Sequence, residues 1–256
     1  MSSPAQADSR ARIIAPVVVG VLVLVGWQLL VTVGEVDDYL LPSPASIWAQ
    51  AVEFAPSLLS AAAITGTNAL VGLLAGSILG IVAALIASTS RLVDHLTAPS
   101  VAALAVIPIV SLAPVLNTMF GADSQFSRQA IAGLAVFVPV FVNTLRGLRQ
   151  TRQVHRDLML VYAASPTQVM RAVTLPTAVP FVFTGIRIAS SLAVISALVA
   201  EYFGGPRGGL GGLISTSASS SAYARAWAYV LGSIALGLAF FLITLALERF
   251  ATRRQR

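Results

Sequence analysis

Few residues in this chain are equipped for covalent chemistry. It contains no cysteine, which excludes disulfides and thiolate metal sites. Its two histidines, His95 and His155, lie far apart in polar connections and belong to no HExxH zinc motif. No GxSxG nucleophile turn occurs either. All 16 basic residues are arginine. A Walker A loop needs a lysine to reach the nucleotide phosphates, so this chain hydrolyses no ATP by that route. If ATP drives the protein, a separate subunit carries the motor. The glycine-rich run at 204–212 follows an apolar segment rather than a strand, and reads as a turn or hinge instead of a phosphate cradle.

What remains is polar side chains set in apolar surroundings. Asn68, Ser111, Asn117, Ser190, Ser191 and Ser196 all fall within long apolar runs. Such groups could line a pathway for a neutral or weakly polar solute, and could equally hydrogen-bond one helix to another. Charges inside a membrane are expensive and usually functional. Arg187 and Glu201 fall near opposite ends of one apolar run, where both are expected to snorkel to the interfaces. No carboxylate is expected near mid-membrane, which argues against ion-coupled transport.

The elements that must hold these residues follow from composition. The 256 residues are 57% hydrophobic and only 10% charged. A soluble domain carries roughly a quarter charged residues, so this is an all-α integral membrane protein. A spanning helix needs about 20 mostly apolar residues. Six stretches qualify: 13–33, 64–87, 97–120, 129–145, 181–200 and 227–247. Residues 1–12 form a tail, and 13–256 a single transmembrane domain. Residues 44–54, with Trp48, read as a helix lying at the interface. Gly72, Gly76 and Gly80 make a smooth face for close helix approach, either within the chain or between subunits. Pro99, Pro108 and Pro114 would bend the third span.

An even number of spans puts both termini on one side. With that side inside, 12 of the 16 arginines fall in the cytoplasm; Arg128, Arg207 and Arg225 fall outside, and Arg187 within the fifth span. The arginine excess therefore marks cytoplasmic loops and calls for no nucleic acid. The same count places residues 157–176, between the fourth and fifth spans, in the cytoplasm.

Residues 157–176 read as two short helices meeting at a corner. The first begins at Asp157, favourably placed at the positive end of its dipole. Ser165 as N-cap, Pro166 at the first helical position and Gln168 three residues on form a capping box for the second. Small Ala163 and Ala164 lie at the corner. Leu175 is expected to leave helical geometry before Pro176, which stops the element. A compact, rigid, cytoplasmic element of this kind suits docking.

This stretch resembles the EAA loop of binding-protein-dependent ABC importer permeases, whose pattern is E-A-A-x-x-x-G followed by I-x-L-P. Asp157 stands at the glutamate position, Leu158 and Met159 at the alanines and Ala163 at the glycine. Val173-Thr174-Leu175-Pro176 matches the closing motif. Leu41-Pro42-Ser43-Pro44, Ile107-Pro108 with Ala113-Pro114, Asn143-Thr144 and Gly209-Leu210-Gly211-Gly212-Leu213-Ile214 are similar to the nitrate, sulfonate and taurine group of that family. Ala200-Glu201-Tyr202-Phe203-Gly204-Gly205 is similar to its pyrimidine and riboflavin branch.

The resemblance implies a type I importer permease fold in a bacterial inner membrane, with both termini cytoplasmic. It implies a homodimer of permeases, a cytoplasmic ATPase dimer that binds ATP and Mg, and an extracytoplasmic solute-binding protein. This chain would itself hold no cofactor and perform no catalysis. Asp157, Tyr162, Ala163, Ala164, Ser165, Leu175 and Pro176 would meet the ATPase, and Arg146, Arg149 and Arg152 would line the cytoplasmic approach. Asn68, Ser111, Asn117, Ser190 and Ser196 are the pathway candidates. The alternative is a secondary transporter or channel that works alone.

Overall fold

The computed structural model of the chain describes residues 4–89, 99, 101, 103, 106, 108–121, 124–204 and 208–253. Every regular element among them is helical. In chain order these are α1 (Pro4–Val33), α2 (Pro44–Glu53), α3 (Ala55–Thr89), α4 (Ile109–Phe120), α5 (Gln125–Arg149), α6 (Gln153–Val161) and α7 (Pro166–Val169). A π-helical turn at Met170–Thr174 then leads into α8 (Leu175–Phe203), followed by α9 (Leu210–Ser219) and α10 (Tyr223–Arg253).

Five helical segments among the described residues are long and apolar enough to cross a membrane: Ile14–Val33, Ala55–Thr89, Gln125–Arg149, Pro166–Phe203 and Tyr223–Arg253. Six spans were expected. The remaining one, 97–120, lies partly outside the described residues; its described end is the 12-residue α4, capped by Pro108 and containing Pro114. Arg91, Asp94 and His95 also lie outside them. The spans run past their apolar cores. Helix α3 begins at Ala55 rather than 64 because Leu58-Leu59-Ser60-Ala61-Ala62-Ala63 contains no helix breaker.

The core is built by α3, α5 and α8, with α10 laid along α8. Ala69 and Leu73 of α3 meet Val136 and Val140 of α5 and Ala189, Ala193, Val194 and Ala197 of α8. Hydrophobicity does not hold helices together in lipid, so close packing of small residues must. The α3 glycines serve this packing inside the chain. A Cβ on Gly72 would come within 2.9 Å of the Gly133 backbone nitrogen, and one on Gly76 within 2.8 Å of the Val136 Cβ. Helix α1 stands largely apart. It is held at its end by the Ala45 amide donating to Gln28 Oε1 at 3.1 Å, and by Trp27 edge-on to Trp227 at 5.8 Å.

One local expectation is overturned. Leu175 does not leave helical geometry, and Pro176 does not stop the element: Pro166–Phe203 runs as one continuous helical segment. Proline lacks an amide and crowds the carbonyl four residues back. The π turn absorbs this, because the Leu175 amide reaches one residue further, to the Met170 carbonyl. Thr177 Oγ1 donates to the Val173 carbonyl at 2.7 Å, satisfying an acceptor beside the proline.

Candidate functional site

The segment at 153–176 projects from the end of the bundle where α5 finishes and α8 begins. Helix α6 starts at Gln153, earlier than expected, so Asp157 sits mid-helix and not at the positive end; its carboxylate accepts from Gln153 Nε2 at 2.9 Å. No residue of α6 is buried. Val154, Leu158, Val161 and Tyr162, spaced so as to share one face, are all exposed, Val161 at 82% and Tyr162 at 73%. Ala163 turns the corner in the left-handed region, φ +49°. That is the position where the EAA pattern has glycine, the one residue that reaches such angles without penalty. Ser165 N donates to Gln168 Oε1 at 2.7 Å, and Gln168 N to Ser165 Oγ at 3.4 Å, so the expected capping box is formed. Ala164 lies at the corner, and Leu175 and Pro176 open α8 on the far side of the π turn.

At the opposite end of the bundle lies a buried polar cluster. Glu201, expected at the interface, is instead 1% exposed. Its Oε2 accepts from Thr65 Oγ1 at 2.7 Å and from the Gly211 amide at 3.2 Å; its Oε1 accepts from Asn68 Nδ2 at 3.3 Å. Thr65 Oγ1 also accepts the Leu210 amide at 2.9 Å. The carboxylate thus neutralises the positive end of α9 and ties it to α3. Asn68 continues the cluster to Gln125 Oε1 at 2.8 Å, which also accepts from Arg128 Nη1 at 3.0 Å. Arg128, expected in an outside loop, is buried at the edge of this cluster. Burial of Glu201, Thr65 and Asn68 is tolerable because each finds a hydrogen-bond partner in the cluster. Gly209 and Gly211 make room for the Glu201 side chain: a Cβ on Gly209 would run into its carboxyl group, and one on Gly211 would lie 2.9 Å from its Cβ.

A groove of about 640 Å³ runs between α8, α9 and α10. Its walls are aliphatic and aromatic, with Ile195, Leu198, Tyr202 and Phe203 on one side and Ile234 and Phe241 on the other. Ser191 and Ser233 also border it, the Ser233 hydroxyl being donated to the Tyr229 carbonyl at 2.9 Å, and no charged side chain lines it. Arg187 lies one helical turn beyond Ser191, toward the 153–176 end. It does not snorkel: its Nε pairs with Glu248 Oε2 at 2.8 Å, and its guanidinium stands 5.9 Å from the Phe241 ring centre. Glu248 Oε1 accepts from Thr184 Oγ1 at 2.8 Å. A second groove of about 600 Å³ lies between α3, α4 and α5.

Of the six polar residues expected in the apolar runs, Ser191 lines the 640 Å³ groove; the other five divide among other places. Asn68 belongs to the buried cluster, and Asn117 is buried beside it, accepting from Ser127 Oγ at 2.5 Å. Ser190 is buried against Thr244 of α10 at 3.1 Å, and Ser196 is buried within the bundle. Ser111 is exposed on α4. Residues that sequence reasoning passed over include Thr65, Gln125, Arg128 and Glu248. The usable signal was spacing. Thr65 with Asn68, and Gln125 with Arg128 and Gln129, place polar groups three or four apart on single helix faces.

A family of binding-protein-dependent transport system inner membrane components matches residues 76–255. A probable ABC transporter permease protein of Haemophilus influenzae is 33% identical over 78% of this chain and 81% of its own length. The formylaminopyrimidine transport permease protein of Halalkalibacterium halodurans is 32% identical over 75% and 77%. In fold, the chain is similar to the crystal structure of an amino acid ABC transporter with histidines. The TM-score is 0.64 over 79% of this chain and 96% of that one, at 13% identity. A helical bundle with a helix-corner-helix projection at one end, a family match over most of the chain and relatives aligned over most of their own length agree. The chain belongs to the binding-protein-dependent ABC transport family, as its non-enzymatic inner membrane permease subunit.

Proposed function

We propose that residues 157–176 are the surface through which a cytoplasmic ABC ATPase, loaded with ATP and Mg, drives this permease. The observation that carries the reading is the exposed apolar face of α6. Val154, Leu158, Val161 and Tyr162 have nothing of this chain to pack on, and an apolar patch at a bundle end marks an interaction site. Motion at that surface reaches the membrane directly, because the segment from Pro166 continues as one helix to Phe203. Asp157, Tyr162, Ala163, Ala164 and Ser165 form the docking corner, and Leu175 and Pro176 the stiff exit.

On this reading residues 13–256 form six spans, with the tail at 1–12 and both termini cytoplasmic, as the arginine distribution supports. Two copies assemble around the solute path, and a solute-binding protein delivers from the opposite face. Relatives carry the names of transporters for formylaminopyrimidine, riboflavin, aliphatic sulfonates and nitrate, and a small solute of one of these kinds is the cargo.

Substituting Ala163→Arg in the full-length chain, co-expressed with its ATPase, tests the docking corner. The expected result is loss of ATPase co-purification with membrane insertion intact. Unchanged association and transport in that variant would overturn the assignment.

A further inference from the structure

Arg187 lies six residues beyond the start of the expected span at 181–200, about 9 Å into it at 1.5 Å per residue. A charge at that depth is costly and marks a functional residue whose partner must be found. The partner is Glu248 of α10. Thr184, Arg187 and Ser190 are three apart on α8, and Phe241, Thr244 and Glu248 three or four apart on α10, so each set shares one helix face. The two faces meet antiparallel. The Ser190 and Thr244 hydroxyls stand 3.1 Å apart, each also within reach of a carbonyl of its own helix. About one turn nearer the 153–176 end, Glu248 grips two residues of α8. Its Oε2 pairs with Arg187 Nε and its Oε1 accepts from Thr184 Oγ1, both at 2.8 Å.

The first half of α10 is fastened elsewhere. Arg225 Nε donates to Gln50 Oε1 of α2 at 3.3 Å, the Tyr229 and Ser57 hydroxyls stand 3.1 Å apart, and Leu236 reaches Gly66 of α3. Apolar surface supplies no force in lipid to keep the second half against α8, so polar contacts and close packing must. The docking corner, in turn, joins the bundle unequally. Toward α8 the chain is helical from Pro166 to Phe203. Toward α5 it passes through Gln150, Thr151 and Arg152, which are not helical. A displacement applied at the corner is therefore carried into α8 along hydrogen-bonded helix, and into α5 through a jointed link.

We infer that Glu248 is a positioning residue for transport: by gripping Thr184 and Arg187 it makes α10 move with α8 when the ATPase acts. The inference rests on the docking assignment proposed above. The competing account is that Glu248 only neutralises Arg187 in the membrane. The two differ in what they ask of an uncharged replacement. Leucine at both positions removes the charge and its cost, which satisfies the second account and leaves the first without its grip.

The natural absence of cysteine makes the test direct. Cysteines replace Ser190 and Thr244 in the full-length permease, held with its ATPase in nanodiscs. Disulfide formation between them under mild oxidation is timed by mass spectrometry, in the nucleotide-free complex and in the complex trapped with ATP, Mg and vanadate. With Arg187 and Glu248 in place the rate should be the same in both states. With Arg187→Leu and Glu248→Leu added, it should be unchanged at rest and fall about tenfold on trapping, as α8 moves without α10 and the disulfide geometry is lost. Glu248→Gln, which keeps a partner for Thr184, should show a smaller fall in the same direction. Equal rates in the two states for both variants overturn the inference and leave Glu248 as a neutralising charge. So does a fall on trapping in the chain that keeps Arg187 and Glu248, since the grip would then not carry α10. ATPase co-purification and vanadate trapping are recorded on the same samples. Their retention separates these results from failure of the docking corner, and their loss in the chain that keeps Arg187 and Glu248 would overturn the docking corner and this inference with it.

Discussion

Thr65 donates to Glu201 Oε2 at 2.7 Å across 136 positions of sequence, and the same Thr65 oxygen accepts the amide of Leu210. One hydroxyl therefore joins α3, the end of α8 and the start of α9. Removing the carboxylate leaves the Thr65, Asn68 and Gly211 donors without their buried acceptor. With each stranded donor costing about 1–3 kcal/mol, Glu201→Ala should destabilise the detergent-solubilised protein by about 3–5 kcal/mol. Thr65→Val, which removes one hydroxyl from the same cluster, should cost about 1–3 kcal/mol. Thermal unfolding of both variants checks the order. Equal stability of Glu201→Ala and the parent would show that the cluster holds nothing together.

Ala163 occupies the left-handed region at φ +49°, where an L-residue other than glycine pays roughly 1–2 kcal/mol. Ala163→Gly should relieve that strain and lose part of the gain to unfolded-chain entropy, for a net stabilisation of the corner below about 1 kcal/mol. Ala163→Val should worsen it, since a β-branched residue is a poorer fit there. Hydrogen exchange of the Ala163 and Ala164 amides, bonded to the Leu160 and Met159 carbonyls, reports the change. Exchange should slow in the glycine variant and quicken in the valine variant.

Ser165 and Gln168 cap α7 reciprocally. Ser165→Ala should cost about 1 kcal/mol locally. Because the next helical residues lead without a break into α8, the variant should also loosen the link from the docking corner to the membrane. A rise in ATPase activity without solute, measured on the reconstituted complex, is the expected sign.

Gly76 meets Val136 at a distance that leaves no space for a methyl group. Gly76→Ala should force α3 and α5 apart and cost about 1–3 kcal/mol, as overpacking does. Gly20, where a Cβ would meet nothing within 4 Å, provides the control. Gly20→Ala should leave the melting temperature unchanged or slightly raised.

Arg187 and Glu248 are only partly buried, with side chains 30% and 16% exposed. Their coupling is therefore smaller than for a fully desolvated pair, about 0.5–3 kcal/mol in a double-mutant cycle. Arg187→Leu and Glu248→Leu should each destabilise, and the double variant should recover much of the loss. Additive single losses would mean that the 2.8 Å contact contributes nothing to stability.

Composition alone established a membrane-embedded, helical chain, because lipid admits few ways to satisfy a backbone and the apolar runs have helical length. Local chemistry gave the Ser165 capping box, since its partners are three residues apart. Longer reach was needed elsewhere. Pro176 reads as a stop in sequence, and only the wider hydrogen-bond register of the turn before it lets the helix continue. Glu201 and Arg187 read as interfacial charges because position along one helix says nothing of which neighbours face it. Packing brought Thr65, Asn68 and the α9 amides to the first and Glu248 to the second. Tertiary structure thus decided which charges are neutralised, because most of a buried charge's partners here are distant in the chain, with Thr65 lying 136 positions from Glu201.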